Sequence, residues 1–286
     1  MNSDVIGRDK IALVTGGSSG IGLATARLLA IQGNHVWLVA RNKERLNSAR
    51  DEVEKVRLSV AQHIGMTSAD VSDPAQAAMA VKQVTDELGV PHLIINNAGV
   101  TRPGYVQDLD LDIFRLMMDI NFFGTVHITK AVLPEMLKRG SGYIVNVASF
   151  VAIIGIYGYS AYGASKSAVL GFTDILRDEM KPHGILVSIV LPVDVDTPGL
   201  ADEKQYRPPE LVALTSLVKP MPPETVARSI VRGVRRGTYL IIPGFEGNFL
   251  YRLKGLLGRA YYPVMDLFVK WASRNGRHKT YGQGDT

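Results

Sequence analysis

Short apolar segments rich in β-branched residues alternate along this chain with segments of helical periodicity. Apolar runs of this kind predict strands buried on both faces, and the amphipathic segments between them predict crossover helices. The alternation therefore predicts an α/β fold with a doubly wound parallel sheet. The predicted strands are 11–15, 35–40, 92–96, 143–149, 185–192 and 238–243, and the predicted helices are 23–32, 43–56, 125–138, 162–181 and 224–237.

One domain with a C-terminal extension accounts for the 286 residues. Hydrophobic residues make up 46% of the chain and charged residues 21%, as in ordinary globular domains. We predict a sheet domain over 1–248 and an extension over 249–286. The proline-rich part, 197–223, is predicted to be an irregular insertion in the domain rather than a linker between two domains.

The positive charge of the chain is concentrated in the extension. Residues 249–286 hold seven basic and two acidic side chains, an excess of five that equals the excess of the whole chain. A nucleic-acid-binding domain would carry its basic residues on the folded domain, so we expect no nucleic-acid partner. The basic residues are Arg252, Lys254, Arg259, Lys270, Arg274, Arg277 and Lys279, and the acidic residues are Asp266 and Asp285.

Apolar residues in the same extension follow helical spacing, which predicts a basic amphipathic helical segment. Such a segment could lie in a membrane interface, pack on its own domain or pack on another subunit, and the sequence leaves these three open. Gly255, Gly258 and Pro263 are expected to interrupt it. The spaced residues are Leu250, Leu253, Leu257, Ala260, Val264, Phe268 and Trp271.

Several kinds of site and location are excluded by composition. The chain has no cysteine, and its six histidines are scattered without metal-ligand spacing, so we expect no metal. The polar N-terminus does not resemble a signal peptide, and no run of about 18 apolar residues predicts a spanning helix. We therefore expect a cytoplasmic protein, which could be peripheral to a membrane.

A glycine-rich loop joins the first predicted strand to the first predicted helix. The loop reads TGGSSGIG over 15–22, with glycines at Gly16, Gly20 and Gly22. Glycines at this spacing permit a tight turn and close approach of the backbone to a pyrophosphate. The helix that follows would offer free N–H groups to the phosphates. The loop therefore predicts a dinucleotide-binding, Rossmann-type fold.

The residue at the end of the second strand indicates which dinucleotide is bound. Arg41 lies 19 residues after Gly22, where an acidic residue would hold the ribose 2′-hydroxyl of NAD. An arginine can instead pair with the 2′-phosphate of NADP. We therefore predict NADP(H), with Lys43 or Arg45 as helpers.

Three tyrosines precede one lysine in IYGYSAYGASK, over 156–166. Tyr162 lies four residues before Lys166, so on a helix the two side chains share a face. A nearby ammonium would lower the tyrosine pKa and make the phenol a usable acid or base. Tyr157 and Tyr159 are expected to form the pocket wall. Ser149, at the end of a predicted strand, could hydrogen-bond the same substrate oxygen, that of a ketone, to which Tyr162 would give a proton.

Together these motifs resemble the short-chain dehydrogenase/reductase family over residues 10 to about 245. The resemblance implies NAD(P)H at the C-terminal edge of the sheet and a homo-oligomer. It implies a catalytic set of Asn121, Ser149, Tyr162 and Lys166, in which Tyr162 donates the proton and Asn121 supports a water. The implied cofactor-binding residues are Thr15, Gly16, Ser18, Ser19, Gly20, Ile21, Gly22, Arg41, Asp70, Val71, Asn97, Ala98, Gly99, Tyr162, Lys166, Pro192, Val195 and Thr197.

A narrower likeness concerns the substrate. The segment MKPHGILVSIVLPVDVDTPGL, over 180–200, is similar to the 3-ketodihydrosphingosine reductases. That likeness implies NADPH-dependent reduction of a long-chain aminoketone, 3-ketosphinganine, with residues 198–223 as a lid. The alternatives are a reductase of another β-keto lipid, a steroid or an aromatic ketone, or a non-catalytic NADP-binding regulator.

Overall fold

The computed structural model describes residues 4–216 and 218–280 and contains a seven-stranded sheet in which every pairing is parallel. The strand order is β3-β2-β1-β4-β5-β6-β7. The predicted doubly wound sheet is confirmed. The strands are β1 (Ile11–Thr15), β2 (His35–Ala40), β3 (Ile64–Ser68), β4 (Leu93–Asn96), β5 (Gly142–Val147), β6 (Ile185–Val190) and β7 (Leu240–Ile241).

Helices cover both faces of the sheet. Alternate residues of β1 belong to different buried clusters, with Leu13 facing one layer and Val14 the other. The helices are α1 (Gly20–Ile31), α2 (Lys43–Lys55), α3 (Pro74–Leu88), α4 (Leu111–Met117), α5 (Gly124–Arg139), α6 (Ser160–Met180), α7 (Pro198–Glu203), α8 (Pro209–Thr215), α9 (Pro223–Arg236), α10 (Phe245–Leu257) and α11 (Tyr261–Thr280).

The chain winds outward in both directions from β1 and β4, which pair through Ala12–Leu93, Leu13–Ile94 and Val14–Ile95. Loops that leave these neighbouring strands go to opposite faces, so a crevice opens at their carboxyl ends. The order of the strands alone therefore places a binding site at this crevice.

Strand β3 was not predicted from the sequence. Its segment IGMTS is short and partly polar, and one of its two polar residues, Thr67, is buried. The Trp37 indole N–H donates to Thr67 Oγ1 at 2.9 Å, which allows this polar residue to lie inside the fold. Because a hydrogen bond to a distant residue allows Thr67 to be buried, the segment lacks the apolar pattern from which a strand is predicted.

The prediction that residues 197–223 are irregular is wrong, because this part contains α7 and α8. Each helix begins with a proline at its first position, where the missing N–H costs no hydrogen bond. The Thr197 hydroxyl also accepts from Leu200 N at 3.2 Å and caps α7. Pro198 and Pro209, which contributed to the prediction of an irregular insertion, are the first residues of these two helices.

The C-terminal extension is helical, as predicted. Only Gly258 of the three expected interruptions ends a helix; Gly255 lies within α10 and Pro263 in the first turn of α11. α11 packs against α8, and Tyr261 is buried in a cluster with Phe150. The predicted boundary at 249 falls inside α10 and stays a prediction. Residues 281–286, with Asp285, lie outside the described residues, as do the side chains of Arg277 and Lys279.

Candidate active site

A cleft of about 580 Å³ opens at the carboxyl ends of the strands. Its walls come from the loops that follow β1 to β6, which is where the crevice of a doubly wound sheet is expected. Most residues expected to contact the cofactor line it: Gly16, Ser18, Ser19, Gly20, Ile21, Arg41, Asp70, Val71, Asn97, Ala98, Gly99, Tyr162, Lys166, Pro192, Val195 and Thr197.

The glycine loop has the geometry of a phosphate cradle. Gly16 and Gly20 adopt φ values of +63° and +53°, which disfavour any side chain. A Cβ on Gly16 would stand 2.7 Å from Asn97 Nδ2. No side chain caps the start of α1, so its backbone N–H groups face the cleft uncapped. This loop fits the pyrophosphate of a dinucleotide.

Thr15 and Gly22, also expected to contact the cofactor, lie behind the cleft and shape it. The Thr15 hydroxyl accepts from the backbone N–H groups of Asn97 and Ala98, both at 3.0 Å. A Cβ on Gly22 would stand 2.3 Å from the Gly16 carbonyl oxygen. Thr15 therefore ties the loop after β4 to β1, and Gly22 allows α1 to approach the glycine loop.

Arg41 extends from the end of β2 at the rim of the cleft. Its side chain is 58% exposed and lies 3.7 Å from the Asp70 carboxylate, a loose ion pair. Asn42 and Arg45 line the same end of the cleft, whereas Lys43 does not. Two guanidinium groups are thus available beside the place where the adenosine end of a dinucleotide would lie.

Tyr162, Lys166 and Ser149 meet at the other end of the cleft. Tyr162 and Lys166 lie one turn apart at the start of α6, and Ser149 follows β5. The buried Lys166 amine lies 5.9 Å from the Tyr162 ring centroid and donates to the Val147 carbonyl at 3.1 Å. The predicted trio is therefore brought together by the fold.

Burial sets the protonation of Tyr162 and Lys166. Burial raises the pKa of Tyr162 and outweighs a hydrogen bond with Ser149, which lowers it. Desolvation lowers the pKa of Lys166 to about 8. Burial therefore outweighs any lowering of the Tyr162 pKa by Lys166, whose amine is directed to the Val147 carbonyl, and the expected effect of Lys166 on the tyrosine stays a prediction. A phenol held in its protonated form is suited to donate a proton.

Asn121 lies in a π-helical segment, Met118–Phe123, between α4 and α5. Its fully buried side chain accepts from Val100 N at 2.8 Å and donates to Val100 O at 3.0 Å and to Ser165 Oγ at 2.9 Å. A Cβ on Gly99 would stand 3.0 Å from Asn121 Oδ1 and 3.2 Å from Lys166 Nζ. The asparagine therefore fixes the loop against which Lys166 lies.

A buried ion-pair network beside Tyr162 was not predicted. Arg207 binds Glu203, Asp194 and the Tyr159 hydroxyl, and Tyr159 also donates to Glu203. Asp194, Tyr159 and Glu203 line the cleft. The sequence signal was the four-residue spacing of Glu203 and Arg207, which is typical of an ion pair on one helix face but does not reveal the partners in other elements.

A second cavity of about 520 Å³ adjoins the first and shares Val151 and Tyr159 with it. Ile153, Ile156 and Gly163 are among the residues that line it. The predicted wall residues differ in their positions: Tyr157 lines this cavity, while Tyr159 lies between the two. An apolar group that leaves the Tyr162 end of the cleft would enter this space.

Comparisons with known proteins agree with the family resemblance of the sequence. The family model described as short chain dehydrogenase matches residues 10–207. The chain is 37% identical over 242 residues to a 3-ketodihydrosphingosine reductase of Bos taurus, covering 84% of this chain and 73% of that protein.

Two solved structures share the fold. A variant of actinorhodin polyketide ketoreductase with NADPH has a TM-score of 0.75 and 28% identity, covering 83% of this chain and 97% of that one. A short chain dehydrogenase/reductase from Burkholderia phymatum in complex with NAD has a TM-score of 0.78 and 24% identity, covering 90% and 96%. The two neighbours hold different nicotinamide cofactors.

Proposed function

Because the chain belongs to the short-chain dehydrogenase family, we propose that this oxidoreductase reduces the ketone of 3-ketosphinganine with NADPH. The observation that carries the proposal is the meeting of Tyr162, Ser149 and Lys166 in the cleft that the glycine loop enters. The long-chain aminoketone is supported by the printed name of the relative from Bos taurus.

NADPH is proposed over NADH because of the charges at the end of β2. Arg41 and Arg45 lie on the cleft, and this end of the strand has no carboxylate of its own to hold a ribose 2′-hydroxyl. The pair between Arg41 and Asp70 is loose and exposed, so the guanidinium can turn to a 2′-phosphate. A bidentate arginine contact with a phosphate is strong and specific.

The proposed reaction uses the side chains at the Tyr162 end of the cleft. The residues that line the cleft would hold a nicotinamide dinucleotide, which would supply a hydride for the carbonyl carbon. Ser149 donates a hydrogen bond to the carbonyl oxygen and holds it beside Tyr162, whose protonated phenol gives that oxygen its proton. The buried Lys166 ammonium stabilises the phenolate that remains.

The aliphatic chain of the substrate is proposed to enter the second cavity. This cavity adjoins the Tyr162 end of the cleft, and Ile153 and Ile156 give it apolar walls. α7 and α8 would cover the substrate as a lid, since Leu200 of α7 lines the cleft and Leu211 of α8 packs on Tyr159. Closure of such a segment excludes water from the reaction.

Oxidation of NADPH tests the proposal with matched ketones. We expect turnover with 3-ketosphinganine and much slower turnover with a 3-oxoacyl thioester or a steroid ketone. Faster turnover of the thioester would favour another β-keto lipid as substrate. NADPH binding without turnover of any ketone would favour a non-catalytic regulator.

A further inference from the structure

Two carboxylates share one arginine beside the proposed proton donor. Arg207 Nε lies 2.6 Å from Glu203 Oε1, and its Nη2 lies 3.3 Å from Asp194 Oδ2 and 3.0 Å from the Tyr159 hydroxyl. The side chains of Arg207 and Glu203 are 7% and 5% exposed. A single guanidinium neutralises one of the two negative charges, so the network keeps one in excess.

The excess charge is best assigned to Asp194. Glu203 accepts hydrogen bonds from both Arg207 and Tyr159, whereas Asp194 has one longer contact with the arginine. The Asp194 side chain is also 25% exposed and lines the cleft. Its carboxylate therefore keeps acceptor capacity on the side that faces the substrate.

This network lies against the reacting group. The ring centroids of Tyr159 and Tyr162 are 5.5 Å apart, and Tyr159 donates its hydroxyl hydrogen to Glu203. After burial, which is the main cause, repulsion from Glu203 and Asp194 raises the pKa of Tyr162 further. A positive charge placed between the carboxylates and Tyr162 would reduce that repulsion.

We propose that Asp194, supported by Glu203 and Arg207, binds the ammonium group that an aminoketone carries on the carbon next to its carbonyl. This inference rests on the proposed function and makes Asp194 a specificity-determining residue for that reaction. With the ketone oxygen at Tyr162 and Ser149, the neighbouring amine would lie toward the side of the cleft that Asp194 lines.

The amine would act on the reaction as well as on binding. A bound ammonium offsets the negative charge of Asp194 and Glu203, which favours the phenolate that Tyr162 becomes as it gives up its proton. A ketone without the amine leaves that repulsion in place. Substrates with the amine should therefore react faster, in addition to binding more tightly.

Asp194→Asn tests the inference against Asp196→Asn, a matched control two residues away whose side chain is exposed outside the cleft. The substrates are 3-ketosphinganine and the same ketone without its amine. We expect Asp194→Asn to lower kcat/KM for the aminoketone by about tenfold to a hundredfold, as loss of a charged hydrogen bond does. The ketone without the amine should react at least as fast with Asp194→Asn as with the wild type, because loss of the carboxylate also removes its repulsion of the Tyr162 phenolate. Asp196→Asn should affect neither substrate.

Equal losses for both ketones in Asp194→Asn would overturn the inference, and so would a wild-type enzyme that prefers the ketone without the amine. In that second case the ketone-reductase activity survives. Asp194→Glu keeps the charge and should keep part of the preference, which separates charge from loss of folding.

If no ketone is turned over, the proposed function fails, and binding of sphinganine measured by calorimetry decides the inference. Weaker binding to Asp194→Asn than to Asp196→Asn supports it, and equal binding contradicts it.

Discussion

Tyr162 and Lys166 respond oppositely to the same burial. Desolvation penalises the charged form of each group, so the pKa of the phenol rises and the pKa of the amine falls to about 8. The phenol therefore stays protonated through neutrality, while the lysine changes its charge just above neutrality. These two directions suit the proposed ketone reduction, in which the phenol would give a proton and the ammonium would stabilise the phenolate.

The rate of ketone reduction should depend on the charge of Lys166. Its pKa is lowered from 10.5 to about 8, so the amine is protonated below that pH and neutral above it. We expect kcat/KM for reduction to fall as the pH rises through about 8, because the neutral amine no longer stabilises the phenolate. Initial rates of NADPH oxidation between pH 6 and about 10 measure this. A flat profile over that range would contradict the role of Lys166.

Arg41 should determine the preference between the two nicotinamide cofactors. Arg41→Ala removes the guanidinium proposed to bind the 2′-phosphate, and we expect about tenfold or greater weakening of NADPH binding with little change for NADH. Arg50→Ala, which removes a partly exposed arginine of α2 that pairs with Asp51 and lies outside the cleft, is the control. Fluorescence titration of each cofactor gives the affinities, and equal losses for both would rule out the cofactor assignment.

At the scale of elements, α6 joins the two cavities. Tyr162 and Lys166 face the cleft, while Gly163 lines the second cavity, and a Cβ at Gly163 would meet no atom within 4 Å. A single helix thus presents Tyr162 to the cleft on one side and Gly163 to the second cavity on the other. This arrangement explains how a carbonyl at Tyr162 could have its aliphatic chain directed away from the cofactor.

Gly163→Leu should separate long-chain from short-chain ketones. The new side chain would occupy the second cavity, so we expect KM for a long-chain ketone to rise about tenfold, while a short-chain ketone changes less than about twofold. Gly171→Leu is the matched control, because Gly171 is exposed on the same helix and its Cβ would also meet no atom within 4 Å. Equal effects on both ketones in Gly163→Leu would exclude this cavity as the chain site.

The sequence could predict those elements that are marked by a pattern of neighbouring residues. Strands β1 and β2 are continuous apolar runs and were predicted to the residue, and the glycine loop revealed its turn through Gly16 and Gly20. The network of Asp194, Glu203 and Arg207 could not be predicted, because it forms only when α7 and its neighbouring turn fold back on the loop after β6. Contacts between distant elements leave no periodic pattern.

At the scale of the whole molecule, the extension both packs on the domain and exposes apolar side chains. α11 packs against α8, yet Leu256, Tyr262 and Leu267 are 86%, 70% and 66% exposed. Exposed Arg252 and Lys270 lie in the same extension. Among the described residues, no helix has the length and apolar character needed to cross a bilayer. We propose that this surface rests on anionic lipid.

Leu256→Glu tests that contact. A carboxylate at this position would lose apolar burial and repel anionic headgroups, so we expect less sedimentation with vesicles of phosphatidylcholine and phosphatidylserine. Val60→Glu is the control, since Val60 is equally exposed at 86% but lies outside the extension. Equal sedimentation of wild type and Leu256→Glu would remove the membrane proposal.

Transfer of deuterium from the cofactor to the substrate is the most direct test of the central claim. The purified chain would be mixed with 3-ketosphinganine and with NADPH in which both hydrogens on nicotinamide C4 are replaced by deuterium. The product would be analysed by mass spectrometry. We predict sphinganine with one deuterium on the former carbonyl carbon, formed at least about a thousandfold more slowly by Tyr162→Phe. Unlabelled product, no product, or an unchanged rate in Tyr162→Phe would contradict the account.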